Sequence, residues 1–282
     1  MSYQIVNLRA LNSGGNGDLF IGQRSDNGER VVVKYLREFH LAHARRAFAR
    51  EAGILARKLQ GLIPLLFANT AAERPYYVMP YQKGGALTQY AGRLTDGQLE
   101  IIAAELARTL ANLHAAYEAH GDVKPDNVLV THDGRLQIAD PLGNGTVFTM
   151  LFSENHGGTP GYWAPEIRAG GSISRAGDVY SYGATMYHLQ TGRRPKDGQR
   201  FDPTSEGYRN APRIREIIAA CCQLDPGARP SMQEVLRILG GEQWADIQAA
   251  RKQRQELAAA CIIGVIGLLG AALIAKGLNQ TA

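Results

Sequence analysis

Four polar residues between positions 122 and 140 could carry out phosphoryl transfer. Asp122 is followed by Lys124 and Asn127, and Asp140 lies further along the chain. A carboxylate can orient an acceptor hydroxyl, an ammonium group can neutralise a phosphoryl group in transfer, and amide and carboxylate oxygens are ligands for Mg²⁺. A solvated acidic turn would also account for the short segment at 120–127 taken alone, so the prediction depends on the rest of the chain.

The elements that must position these residues are predicted from hydrophobic periodicity. A long amphipathic helix, with Thr95 or Asp96 as its N-cap, leads up to the segment, and the apolar runs Val128–Val130 and Leu136–Ile138 predict two short strands after it. Residues 3 to about 80 predict strands interrupted by one helix. The further helices are predicted at 43–59 in that first part, and near 177–191, 212–223 and 231–239 in the second. The fold class is therefore α+β, with a small β-rich half before a larger α-rich half.

The composition excludes several classes of protein. Hydrophobic residues make up 45% and charged residues 20% of the 282, which is ordinary for a folded chain and argues against disorder. The net charge of +5 comes without a dense basic stripe interleaved with aromatic residues, so we expect no nucleic-acid partner. Cys221, Cys222 and Cys261 fit neither a disulfide framework nor a zinc pattern, which predicts a reducing, cytoplasmic setting.

The order of the motifs resembles the eukaryotic-type Ser/Thr protein kinase family. The resemblance runs from about Tyr3 to Leu239 and implies a bilobal kinase domain at 3–240, with an N-lobe at about 3–79 and a C-lobe at about 82–240. It implies ATP and Mg²⁺ (or Mn²⁺) as cofactors and proteins bearing Ser or Thr as substrates. The matching segments are the glycine-rich stretch 11–20, Lys34, Glu51, the segment 120–127, Asp140, the segment 158–166 ending in Ala-Pro-Glu, Asp178 and Arg229.

The resemblance also assigns a role to individual residues. Asp122 and Lys124 are expected to be catalytic, together with Lys34 and the Glu51 that pairs with it, while Asn127 and Asp140 are expected to hold the metal. Arg229 is expected to pair with Glu166. The nucleotide-binding residues implied by the resemblance are Leu11, Gly14, Gly17, Leu19, Lys34, Met79 as gatekeeper and Tyr81. The last two belong to the segment Tyr77–Tyr81, which is expected to be the hinge that hydrogen-bonds adenine. Specificity for Ser or Thr is expected from Lys124 and Thr159, which match the Ser/Thr members of the family.

The sequence departs from the family pattern in three places. Asn12 replaces the first glycine of the glycine-rich loop, and Gly121 replaces the arginine that receives an activation-loop phosphate. The Asp-Phe-Gly triplet reads Asp140-Pro141-Leu142, and the proline is expected to push Asp140 toward extended backbone. The altered triplet keeps a pseudokinase scaffold as the alternative to an active kinase, and a small-molecule phosphotransferase is a third interpretation.

The C-terminal segment predicts a membrane anchor. Residues 241–256 form a basic juxtamembrane linker, residues 257–275 carry no charged or amide side chain, and residues 276–282 form a short tail. At about 1.5 Å per residue the apolar run would form a helix of about 28 Å, close to the roughly 30 Å hydrocarbon core of a bilayer. The positive charges before it predict a single-pass inner-membrane protein whose kinase domain faces the cytoplasm. Small residues at spacings of four could also drive a homodimer through this helix.

Overall fold

The computed structural model describes residues 4–14, 17–116, 118–142, 160–202, 208 and 211–256. Within the chain, residues up to Leu239 form one compact unit, and those from Gly240 onward form a second. The first unit contains the β-rich part followed by the helical part, as the periodicity predicts.

The β-rich part is a five-stranded antiparallel sheet with the strand order β1-β2-β3-β5-β4. The β-branched run Val31–Val33 lies in its central strand and is buried, as expected for a strand covered on both faces. The strands are β1 at Ile5–Gly14, β2 at Gly17–Arg24, β3 at Arg30–Leu36, β4 at Phe67–Asn69 and β5 at Tyr76–Pro80. The pairing of β3 with β5 is a long-range contact, and it decides which side chains share the face of the sheet that carries Lys34.

Helix α1, at Ala42–Ala56, connects β3 to β4 and confirms the helix predicted at 43–59. Its buried face carries Phe48, Glu51, Ala52, Ile54 and Leu55. Glu51 is the one charged residue on this face, and a charge in such a place requires a partner.

The helical part is built around one buried helix. Helix α4, at Arg175–Thr191, is buried along most of its length and ends at Gly192, whose φ of 73° closes the last turn. Helix α2, at Asp96–Ala115, begins with a capping box in which Thr95 and Gln98 exchange hydrogen bonds, so Thr95 is the N-cap. The remaining helices are α3 at Pro165–Arg168, α5 at Pro212–Cys221 and α6 at Met232–Leu239.

A small hairpin follows the segment at 120–127. Strands β6 at Val128–Val130 and β7 at Leu136–Ile138 pair in antiparallel fashion, which confirms the two strands predicted there. Gly134, with a φ of 81°, allows the tight turn between them. The hairpin therefore carries the chain from Asn127 back to Asp140, and these two residues lie at the same end of it.

The second unit is described up to residue 256. Residues 244–256 form helix α7, in which the Arg251 guanidinium lies 5.5 Å from the ring centre of Trp244. Among the described residues, no helix combines the length and the apolar character needed to cross a bilayer. The apolar run predicted as an anchor, 257–275, lies outside the described residues.

Candidate active site

Lys34 stands at the centre of an ion-pair cluster in which Lys34 and Glu51 are buried and Asp140 is partly exposed. Its Nζ lies 2.7 Å from Oε1 of Glu51 and 2.9 Å from Oδ1 of Asp140. Strand β3 supplies the lysine, helix α1 supplies the glutamate, and the chain after β7 supplies the aspartate. The predicted pairing of Lys34 with Glu51 is confirmed, and Asp140 joins the same lysine.

The electrostatics of this cluster follow from burial and pairing. Burial acts to lower the pKa of Lys34, but the carboxylates of Asp140 and Glu51 outweigh it and hold that pKa above its ordinary value. Burial acts to raise the pKa of Asp140, but the ammonium of Lys34 prevails and lowers it. Burial raises the pKa of Glu51 to about 7, against the opposing effect of Lys34. Asp140 therefore stays ionised beside the ammonium of Lys34, and its carboxylate is the group of this cluster that can face a cation.

The segment at 120–127 brings together the three side chains that the sequence predicts. Oδ2 of Asp122 accepts hydrogen bonds from Nζ of Lys124 at 2.7 Å and from Nδ2 of Asn127 at 2.7 Å. Asn127 also donates from Nδ2 to the backbone oxygen of Asp122 at 2.8 Å. Because the amide nitrogen of Asn127 is directed to Asp122, its side-chain oxygen is the atom left to act as a ligand.

Asp178, at the start of α4, anchors this segment through its backbone. Its carboxylate accepts the backbone N–H of His120 at 2.6 Å and that of Gly121 at 2.8 Å, and it lies 2.9 Å from Nε2 of His114. The side chain of Asp178 is almost completely buried. Buried carboxylates need such donors, and here the donors are the amides that shape the loop before Asp122.

His120 is held as a neutral imidazole. Its Nε2 lies 3.0 Å from the backbone oxygen of Ala139, and its Nδ1 accepts the backbone N–H of Asp122 at 3.2 Å. A carbonyl oxygen can only accept, so Nε2 carries the proton and Nδ1 does not. Burial lowers the pKa of His120 in agreement with this assignment. The ring therefore ties the segment at 120–127 to the residue before Asp140.

The backbone of Asp140 corrects one expectation. Its φ is 59°, in the left-handed region, whereas the following proline predicted extended backbone. Hydrogen bonds on both sides hold the chain in place, from the N–H of Ala139 to the oxygen of Asn127 at 2.8 Å and from the N–H of Leu142 to the oxygen of His120 at 2.7 Å. Asp tolerates this region better than most residues, so the left-handed backbone costs less here than it would for most side chains.

The glycine-rich stretch lies beside Lys34. Gly17 begins β2, and a Cβ at this position would lie 3.0 Å from Cγ of Lys34 and 2.9 Å from the backbone oxygen of Tyr35. A side chain would therefore displace the lysine. Leu19 is paired in register with Lys34, Gly14 ends β1 opposite Gly17, and Leu11 is exposed. Residues 15 and 16 lie outside the described residues.

The predicted hinge, Tyr77–Tyr81, overlaps strand β5 and ends one residue after it. Met79, the predicted gatekeeper, is buried and pairs in register with Val32. The backbone N–H of Tyr81 donates to the oxygen of Arg30 at 3.2 Å, and the Arg30 guanidinium lies 4.4 Å from the Tyr81 ring centre. The amide of Tyr81 is therefore engaged within the protein.

The segment ending in Ala-Pro-Glu is tied to the rest of the helical part. Glu166 accepts two parallel hydrogen bonds from the buried guanidinium of Arg229, at 2.6 and 2.8 Å, which confirms the predicted pair. Four residues before Glu166 in the sequence, the hydroxyl of Tyr162 lies 2.6 Å from Nδ1 of His188 in α4. Thr159, which the sequence assigns to Ser/Thr specificity, lies outside the described residues.

A comparison with known protein families accounts for this arrangement. Residues 5–238 match the family described as the protein kinase domain. The chain belongs to the protein kinase domain family. The family predicted from the motifs is thus confirmed, and with it the expectation of a β-sheet N-lobe and a helical C-lobe. The family uses ATP and a divalent metal ion in general.

Several curated bacterial kinases are similar to this chain. The serine/threonine-protein kinase AfsK of Streptomyces griseus is 31% identical over 247 residues, which cover 79% of this chain and 30% of the relative. The probable serine/threonine-protein kinase PkwA of Thermomonospora curvata is 30% identical over 263 residues, covering 86% of this chain and 34% of the relative. The serine/threonine-protein kinase PknA of a Nostoc strain is 31% identical over 211 residues, covering 67% and 37%. The kinase chain thus spans about a third of the length of these relatives.

The donor set of this kinase domain fits a hard divalent cation. Mg²⁺ is commonly bound by one or two protein oxygens together with phosphate oxygens, because it keeps part of its hydration shell. Asn127 offers an amide oxygen and Asp140 a carboxylate at the same end of the β6–β7 hairpin. Among the described residues, no group of three or more His, Cys, Asp or Glu side chains could hold a metal by itself. The remaining ligands would be water molecules and phosphate oxygens of the nucleotide.

The roles of two residues of the kinase site were not predicted from the sequence. Asp178 was assigned only to the start of a helix, although it anchors the catalytic segment. Tyr77 was assigned to the hinge that binds adenine, and the contact of its hydroxyl with Glu51 was not predicted. Strand alternation places Tyr77 and Met79 on one face of β5, but the partner of that face depends on the pairing with β3, which no local pattern reveals.

Proposed function

We propose that the chain is a protein serine/threonine kinase that transfers the γ-phosphate of ATP to Ser or Thr hydroxyls of proteins. The observation that carries the proposal is that two clusters of side chains lie next to each other. The first contains Lys34, Glu51 and Asp140. The second contains Asp122, Lys124 and Asn127. The backbone bond from Ala139 to Asn127 joins the two clusters. A pseudokinase scaffold would not need all six groups, so their presence together favours catalysis.

Each group has a role that follows from its chemistry. Asp122 orients the acceptor hydroxyl and accepts its proton, while Lys124, 2.7 Å from that carboxylate, neutralises charge on the phosphoryl group in transfer. Lys34, positioned by Glu51, binds the phosphates of ATP. Asn127 and Asp140 would hold a divalent cation, which when bound would further neutralise the phosphate oxygens.

The experiment that tests the proposal is phosphotransfer by the full chain in detergent. The protein is incubated with Mg²⁺ and labelled ATP, together with acceptor peptides that differ only in carrying Ser, Thr or Tyr. We expect labelling of the Ser and Thr peptides and none of the Tyr peptide. ATP binding without labelling of any peptide would favour the pseudokinase scaffold, and labelling of the Tyr peptide alone would contradict the Ser/Thr assignment.

We further propose that residues 257–275 anchor the kinase to the cytoplasmic face of the inner membrane. The support is the uncharged run and the positive residues that precede it. The full chain should remain in the membrane fraction after alkaline extraction, and a chain without residues 251–282 should not. A full chain that is extracted by alkali would contradict the anchor. Protection of the kinase domain from protease added outside the cytoplasm tests the orientation.

A homodimer through this helix is a separate proposal. Ala260 and Gly264, and Gly267, Ala271 and Ala275, are small residues at spacings of four, which lets helix backbones approach closely. The variant with both Gly264→Leu and Gly267→Leu should lower autophosphorylation in membranes, because two tethered domains meet at a raised effective concentration. Equal autophosphorylation at matched expression would contradict the dimer and leave the anchor unaffected.

A further inference from the structure

Tyr77 lies directly opposite Lys34 in the sheet. The two residues are paired in register between β5 and β3, and the side chain of Tyr77 is completely buried. Its ring stacks on the ring of Phe48 in helix α1, with 5.2 Å between ring centres and an angle of 30° between planes. Tyr77 therefore contacts the helix that carries Glu51 as well as the strand that carries Lys34.

The hydroxyl of Tyr77 reaches the ion-pair cluster. It lies 2.6 Å from Oε1 of Glu51 and 3.4 Å from Oδ1 of Asp140. A phenol has one proton and an ionised carboxylate can only accept, so the short contact is the hydrogen bond and it is donated to Glu51. Lys34 donates to the same oxygen of Glu51. The position of Glu51 is thus set by two donors, and one of them is Tyr77.

The phenol supplies a donor without adding charge. A second cationic side chain at this position would add positive charge to the cluster and compete with a metal ion for Asp140. A neutral hydroxyl gives the buried Glu51 a second donor and adds no charge to the cluster. A hydrogen bond to a charged group also contributes more than one between neutral groups.

The altered triplet contributes no aromatic ring to helix α1. Neither Pro141 nor Leu142 is aromatic, and Leu142 packs instead against a C-lobe cluster that includes Ala119 and Ile173. Its N–H is bonded to His120. The ring that stacks on Phe48 of helix α1 comes from β5.

We propose that Tyr77 is a positioning residue of the kinase site, whose hydroxyl holds Glu51, and through Glu51 also Lys34, in the geometry that binds the ATP phosphates. This inference rests on the proposed function. Tyr77 acts through Glu51 and does not itself contact the phosphates or the acceptor.

The test compares two Tyr→Phe variants. Tyr77→Phe removes the hydroxyl and keeps the ring that stacks on Phe48. Tyr182→Phe is the matched control, because Tyr182 is also completely buried and its hydroxyl also makes one hydrogen bond, to the backbone oxygen of Ala103 at 3.0 Å. Both variants lose one buried hydroxyl, and only one of these hydroxyls lies in the ion-pair cluster.

The first measurement is amide hydrogen exchange without nucleotide. Loss of a hydrogen bond to a charged group should make the amides of helix α1 exchange about tenfold faster in Tyr77→Phe. Tyr182→Phe should leave exchange in α1 unchanged. This measurement needs no catalysis, so it decides the role of Tyr77 even if the wild-type chain transfers no phosphate.

The second measurement is the affinity for ATP with Mg²⁺, made in the Asp122→Asn background to prevent turnover. Adding Tyr77→Phe should weaken binding about tenfold, and adding Tyr182→Phe should not change it. With Asp122 intact, kcat/KM for ATP should fall about tenfold while KM for the acceptor peptide stays the same. Exchange and affinity within twofold of wild type in Tyr77→Phe would overturn the proposal, as would equal effects of the two variants.

Discussion

The two halves of the site are held in place by different kinds of contact. The catalytic segment is anchored through backbone amides, because Asp178 accepts the N–H groups of His120 and Gly121. The phosphate-binding half is anchored through side chains, because Lys34 meets Glu51 only when helix α1 lies against the sheet. The first half thus has its geometry once the C-lobe has folded, whereas the second depends on the position of one helix.

The two halves also serve different steps, since one orients the acceptor hydroxyl and the other binds the phosphates of ATP. Asp122 and its partners lie in the backbone-anchored half, where the acceptor hydroxyl must be oriented with little freedom. Lys34 lies in the other half, and a small shift of α1 would change how it meets the phosphates. Asp140 is shared, since its backbone neighbours are bonded to the catalytic segment and its side chain is bonded to Lys34.

The largest effect is expected for Asp122→Asn. This change removes the catalytic carboxylate and leaves the contacts of Asp178 and the Lys34–Glu51 pair intact. Phosphotransfer should fall by roughly 10²–10⁴, because the acceptor loses the carboxylate that orients it. The affinity for ATP with Mg²⁺ should not change. Asp26→Asn, in the turn between β2 and β3, is the control and should keep full activity. Wild-type phosphotransfer by Asp122→Asn would show that the catalytic assignment is wrong.

Asp178→Asn should damage the backbone-anchored half specifically. An amide group cannot accept at both of the positions where the carboxylate accepts, so one buried N–H loses its partner. We expect a loss of about 2–3 kcal/mol in the free energy of unfolding, or roughly 5–10 °C in Tm. Asp197→Asn is the control, because Asp197 pairs with Arg168 at the surface and should contribute under about 1 kcal/mol. Equal Tm values for the two variants would contradict the anchoring role of Asp178.

Gly121→Ala tests how tightly the same segment is packed. Gly121 has a φ of 84°, and a Cβ there would lie 3.0 Å from side-chain carbons of Ile173 and 3.2 Å from Cβ of Leu142. We expect a loss of about 2 kcal/mol, measured by urea unfolding. Gly134→Ala has a similar φ of 81° but no neighbour within 4 Å, so it should lose only about 1 kcal/mol. Identical losses would mean that the segment has room to adjust.

The smallest effect is expected in the activation loop. Gly121 provides no guanidinium to receive a phosphate, so a phosphate on this loop should stabilise little. Alanine at Thr146, Thr149 and Ser153, which lie outside the described residues, should leave kcat/KM within about threefold of wild type. A hundredfold loss in this triple variant would show that the site is switched by a phosphate after all.

The sequence predicted local elements better than long-range contacts. Thr95 caps α2 and the strands at Val128–Val130 and Leu136–Ile138 form, because these features depend on neighbouring residues. The pairs of Lys34 with Glu51 and of Glu166 with Arg229 were predicted from motifs and are confirmed.

What the sequence did not predict depends on the tertiary structure. A tyrosine in a strand is usually an ordinary core residue, and only the pairing of β5 with β3 places the hydroxyl of Tyr77 on Glu51. The left-handed backbone of Asp140 goes against the local effect of Pro141, and the hydrogen bonds on either side of it come from the segment at 120–127. In both places a tertiary contact overrides or adds to the local preference.

The dependence of the catalytic segment on Asp178 has a consequence for the order of events during synthesis. The amides of His120 and Gly121 leave the ribosome before their acceptor, which follows 58 and 57 residues later. Until helix α4 has been made and has docked, these amides have no buried partner and the segment cannot hold its final form. Contacts of such long sequence separation slow folding. A nascent chain therefore acquires its catalytic geometry late, when most of the C-lobe has already been translated.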